Sequence, residues 1–161
     1  EMTEYIFNSI DPEISKKHNL RPAVGLAAPQ IGLAIRLFVI DATPMQEDFP
    51  EIETAKKVFI NPEIIDHSEE TIAYEEGCLS VPGIHEKVTR PSEVTVHYFD
   101  ENFVEHTDKF TGFFARIVQH EYDHLEGHVF TDRVSPLRRQ MISSKLQNIQ
   151  KGKARCSYKT K

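Results

Sequence analysis

Residues 119–127 read QHEYDHLEG and carry two histidines four apart, His120 and His124, with Glu121 beside the first. On a helix, positions i and i+4 project from one face about a turn apart. Two imidazoles so placed can bind one metal ion, and a glutamate one position on can take a proton from a water that the metal activates. The plainer reading is a pair of surface histidines. Against it, the apolar pair Ile117 and Val118 adjoins the motif, and Glu121 stands where a general base is needed.

A third protein ligand must come from elsewhere. Glu126 is the only glutamate after the motif and lies too close to fold back onto it. The continuation H-x-x-G-x-x-H is met at Gly127 and fails at Phe130. Asp132 and His128 are candidates without a recognised spacing. Cys78, 42 residues upstream in EEGCLSVPG, is the better candidate. A thiolate is a strong ligand for zinc or ferrous iron, and Gly77 lets the backbone approach closely. A lone cysteine in a turn is otherwise most simply a small buried side chain.

The elements that must position these groups follow from periodicity. Apolar residues at 113, 114, 117, 118 and 125 mark one helix, ended by Gly127. A second helix is expected from about Pro136 to Gly152. The chain opens with a helical spacing at Met2, Tyr5, Ile6 and Ile10, followed by DPEISKKHNLRP as a polar connector. VGLAAPQIG has no clear period, IRLFVID is a buried strand, and ATPMQEDFPEIETA is an acidic surface loop. Short strands are expected at 58–61, 64–67, 71–74 and 85–89, then a hairpin of EVTVHYF and VEHTDKF turning at DEN. Together these predict a single α+β domain over 1–161, with β-sheets around the central H-E-x-x-H helix and a trailing C-terminal helix.

Composition bounds the function. With 39% hydrophobic and 27% charged residues the chain is that of an ordinary globular protein. No apolar run approaches the roughly 18 residues of a membrane span, and none resembles a secretory core. Two cysteines, Cys78 and Cys156, make no disulfide framework, so reduced thiols in a bacterial cytoplasm or an organelle matrix are expected. The net charge of −6 hides nine Lys or Arg and no acid in 133–161, against −15 over 1–132. This basic C-terminal helix and tail is either a solvated terminus or a sequence-independent contact with a polyanion such as the ribosome.

Three stretches, VGLAAPQ at 24–30, EGCLS at 76–80 and QHEYDH at 119–124, together resemble the peptide deformylase family in order and separation. The resemblance implies one divalent metal held by Cys78, His120 and His124, Fe²⁺ in the cell and Zn²⁺, Ni²⁺ or Co²⁺ in purified protein. It implies a hydrolase that removes the formyl group from the N-terminal formylmethionine of nascent polypeptides and releases formate. Glu121 would be the general base, and the Gln30 side-chain amide and the Leu79 backbone N–H the oxyanion donors. Val24, Tyr74, Phe113 and Ile117 would form the methionine pocket, with Gly25, Ala27 and Ala28 keeping side chains away from substrate. Arg90 would pair with Asp123 or Glu76. Three departures stand out: Ala23 where the family commonly has Gly, His85 where many members carry an arginine, and an absent or reduced N-terminal strand. A purely structural zinc module is disfavoured by Glu121, and a zinc endopeptidase by the missing downstream ligand.

Overall fold

The computed structural model describes residues 1–153, so Cys156 and the end of the basic tail lie outside the described residues. The chain opens on two short helices, α1 (Met2–Ile10) and α2 (Pro12–His18). The stretch expected as a polar connector is therefore mostly helix. Its seven residues bury nothing, so no apolar period announces it. Its ends carry the signal instead: the Asp11 side chain accepts from the Glu13 and Ile14 N–H groups, Pro12 opens the helix, and Asn19 closes it at φ 52°.

Among the described residues seven strands follow: β1 (Gly25–Ala27), β2 (Leu37–Asp41), β3 (Lys56–His67), β4 (Thr71–Cys78), β5 (Val81–Pro91), β6 (Glu93–Phe99) and β7 (Glu105–Thr111). Five of them form an antiparallel sheet in the order β1-β2-β3-β6-β7, and β4 and β5 pair separately as a two-stranded sheet. The two strands expected at 58–61 and 64–67 are one continuous β3. Asn61 at φ 48° and the register shifts on either side of Ile64 carry the strand past Pro62 as irregularities, where Pro62 suggested a break.

The helix α3 (Gly112–Leu125) lies between the two sheets, and α4 (Pro136–Gln150) packs on β5. The main core joins Phe114, Ala115, Ile117 and Val118 of α3 to Phe38, Ile40, Phe59, Val94, Val96, Tyr98 and Phe110 of the large sheet. A second core joins Val81, Ile84 and Val88 of β5 to Phe130, Val134 and Ile142. The segment read as an acidic surface loop also turns inward, because Ala42, Ile52 and Ala55 are buried and Met45 and Phe49 pack on the main core. Among the described residues no helix is long and apolar enough to cross a membrane.

Candidate metal centre

Cys78 ends β4, at the tight turn into β5, while His120 and His124 stand one turn apart on α3. The fold closes the 42-residue gap. One ligand atom from each of the three residues lies within 4.8 Å of the others, and Cys78 Sγ is 3.3 Å from His124 Nε2. His120 Nδ1 is 2.8 Å from Glu76 Oε2, which places a proton on Nδ1 and leaves Nε2 as the nitrogen that could hold a metal. Burial pushes the Cys78 thiol up, but the two histidines outweigh it and bring it down to about 5, so the sulfur is a thiolate at neutral pH. One thiolate and two imidazoles from a helix and a strand end suit a borderline divalent ion such as Zn²⁺ or Fe²⁺.

Glu121 is 4% exposed, and its Oε2 is a buried oxygen with no hydrogen-bond partner among the described residues. Burial pushes this carboxyl up to about 7, against the opposing pull of His120 and His124. It leans on Gly25 of β1: a Cβ there would sit 2.3 Å from Glu121 Oε1. The missing side chain at position 25 thus makes room for the carboxylate.

Gln30 lies in the turn after β1. Its Oε1 accepts from the Ala27 N–H at 2.8 Å, which turns Nε2 toward Ser80 Oγ at 3.1 Å, with Cys78 Sγ 3.7 Å away. Leu79 follows the cysteine, and its carbonyl accepts from Arg21 at 3.3 Å. Val24, Gly25, Gln30, Cys78, Leu79, Phe113, Ile117, His120 and Glu121 all line one cavity of about 560 Å³. Tyr74 does not line this cavity. It meets Phe113 edge-on at 5.5 Å, and Phe49 stacks on the same ring at 4.2 Å. Tyr74 therefore backs Phe113, which does line the cavity.

Arg90 pairs with both candidate acids: Nε and Nη2 donate to Glu76 at 2.7 and 2.9 Å, and Nη1 donates to Asp123 at 2.7 Å. Glu76 is held well below the usual carboxylate range, since burial, which raises it, is outweighed by Arg90 and His120. The alternative ligands lie apart from the cluster. Asp132 accepts from Arg139 at 2.8 Å and from the Val129 N–H, and His128 is exposed. His85 lines the cavity rim with its ring in the space a Cβ on Gly77 would need, and half-buried Ala23 lies on the wall. Sequence reasoning missed Arg21, Met45 and Arg116, which also line the cavity. Met45 sits in a stretch whose acids suggested solvent, and Arg116 interrupts an apolar helix face.

The polypeptide deformylase family model matches residues 2–140. The peptide deformylase of Christiangramia forsetii is 49% identical over 144 residues, covering 84% of this chain and 73% of that protein. That of Salinibacter ruber is 41% identical over 162 residues, covering 98% and 83%. Among solved structures, peptide deformylase from Plasmodium falciparum superimposes with a TM-score of 0.74 at 31% identity, covering 94% of this chain and 83% of that one. The enzyme from Legionella pneumophila gives 0.66 at 37% identity, covering 89% and 78%.

Proposed function

The chain belongs to the polypeptide deformylase family, and we propose that in it Cys78, His120 and His124 hold the metal while Glu121 is the general base. The family is metal-dependent, and its activity is removal of the formyl group from the N-terminal formylmethionine of newly made polypeptides. The reaction is amide hydrolysis, and a bound divalent ion supplies Lewis acidity to the formyl carbonyl and lowers the pKa of water. Glu121 Oε2, the oxygen without a partner, receives the proton of the attacking water and returns it to the leaving amine. A carboxyl raised to about 7 suits both halves of that transfer near neutrality.

Gln30 Nε2 donates to the developing oxyanion, since the Ala27 N–H already holds its Oε1 and so fixes which way the amide faces. The Leu79 N–H is the second donor. Val24, Phe113, Ile117 and Met45 receive the methionine side chain, with Phe113 stiffened by Phe49 and Tyr74 behind it. Glu76, held by Arg90, keeps the His120 ring in its metal-binding tautomer.

The observation that carries this reading is the buried, unpartnered oxygen of Glu121, a residue that lines the same cavity as Cys78 and His120, with His124 completing their cluster. The test is metal content and formate release from a formyl-Met peptide. Cys78→Ala should lose most of both, and equal metal in variant and wild type would sink the ligand set.

We propose Fe²⁺ as the ion in the cell, with Zn²⁺, Ni²⁺ or Co²⁺ able to fill the same donors, and a bacterial cytoplasmic location that keeps Cys78 reduced. Contact with the ribosome would fall to the far end of the basic segment. Arg133, Arg138 and Arg139 are already bound to Asp123, Glu86 and Asp132, which leaves Lys145 and the residues beyond it. Deleting 151–161 should weaken salt-sensitive ribosome co-sedimentation and spare peptide turnover, and unchanged co-sedimentation would make the tail a solvated terminus.

A further inference from the structure

Arg116 stands on α3 one turn before His120, is 4% exposed, and has no role in the chemistry above. Its guanidinium reaches across to the two-stranded sheet. Nη1 donates to Glu76 Oε1 at 2.7 Å and to the Val88 carbonyl at 2.9 Å, Nη2 donates to the Ile72 carbonyl, and the group lies over the Tyr74 ring at 5.4 Å.

These bonds complete the coordination of Glu76. Oε1 accepts from Arg90 Nε and Arg116 Nη1, both at 2.7 Å, and Oε2 accepts from Arg90 Nη2 at 2.9 Å and His120 Nδ1 at 2.8 Å. Two lone pairs on each oxygen leave no acceptor position unused. Held by Arg90 alone, the carboxylate could rock within the fork and carry Oε2 with it. A second donor on Oε1, arriving from α3 itself, removes that freedom.

We infer that Arg116 is a positioning residue for metal binding, acting through Glu76 to fix the tautomer and ring orientation of His120. The inference rests on the reading that Cys78, His120 and His124 hold the metal. Arg116 also ties β4 and β5 to α3 through the Ile72 and Val88 carbonyls, and Cys78 is the last residue of β4.

The test loads wild type, Arg116→Met, Glu76→Gln and the double variant with Co²⁺ and follows release of the ion to excess chelator, with circular dichroism to verify folding. Arg138→Met is the control, because it breaks a bidentate pair with the equally buried Glu86, the cross-strand neighbour of Glu76, while leaving the bonds to Glu76 and His120 in place. Arg116→Met should release cobalt about 10–100-fold faster, the range for losing a partner of a ligating histidine. Arg138→Met should keep the wild-type rate. In the Glu76→Gln background Arg116→Met should add little, since both act on one hydrogen bond. If Arg116→Met does not fold, Arg116→Lys replaces it and should still release the ion faster, because one ammonium cannot reach Glu76 and both carbonyls. Wild-type release from a folded Arg116 variant, equal acceleration in Arg138→Met, or simple additivity with Glu76→Gln overturns the inference. Wild-type protein that takes up no cobalt overturns the metal-site reading beneath it.

Discussion

Toward the five-stranded sheet, α3 presents Phe114, Ala115, Ile117 and Val118 to a core of aromatic and branched side chains. Toward β4 and β5 the same helix presents Arg116, His120 and Asp123, and what meets them is Glu76 and Arg90. The first contact excludes water around groups that need no partner. The second buries ionised groups and is tolerable only because each finds a fixed counterpart. An apolar contact accepts small shifts at low cost, whereas a hydrogen-bonded charge network has one geometry. The division of labour follows: the large sheet holds α3 in place, and the small sheet decides where its polar atoms point.

The comparison breaks most visibly at Glu121. Glu121→Gln keeps the volume and the proposed ligands but cannot accept the proton, so turnover of a formyl-Met peptide should fall about 10²- to 10⁴-fold with metal content and melting temperature nearly unchanged. Turnover close to wild type in the metal-loaded variant would remove the base. The opposite pattern is expected on the other face of the helix. Phe59 is 0% exposed and touches Phe38, Tyr98 and Phe110 at ring separations of 4.6, 4.5 and 5.5 Å. Phe59→Ala should cost about 3–5 kcal/mol in denaturant unfolding while the rate per folded molecule stays close to wild type. A large loss of rate in the fully folded fraction would mean that the two sides of α3 are not separable.

The smallest effect lies far from both. Phe103, at the tip of the β6–β7 hairpin, is 72% exposed and holds φ at 58°. A bulky residue in the left-handed region costs roughly 1–2 kcal/mol, and glycine gives back part of the relief through its looser unfolded chain. Phe103→Gly should therefore stabilise the protein by about 0.5–1 kcal/mol and leave peptide turnover alone. A destabilised variant would show that the exposed ring makes contacts that outweigh its strained backbone.

What could be read in the sequence divides along the same line. The apolar face of α3 and the β6–β7 hairpin follow from period and turn chemistry, since burial leaves a pattern, while α4, whose one buried residue is Ile142, follows from Pro136 at its start. The pair His120 and His124 is equally visible, because four residues make one helical turn. The small sheet hides. The buried face of β5 runs Ile84, Glu86, Val88, Arg90, apolar and charged in turn, so hydrophobic alternation underestimates the strand and predicts only 85–89. Arg116 is hidden for the same reason: a charge on a helix reads as solvent-facing until Glu76 is known to lie opposite it. Cys78 had no spacing argument of its own. Only the fold brings β4 to α3, and resemblance to a known pattern stood in for that geometry.

Gly25 shows what such closeness means over longer times. The space its side chain would fill is occupied by the Glu121 carboxylate, on the wall of the cavity that a competing small molecule would enter. A compound that draws its affinity from the backbone at position 25 meets a residue that cannot grow without displacing the proposed base. Escape from such a compound by substitution there would cripple the protein along with the drug, and selection would have to look to the exposed rim at Glu75 or His85 instead.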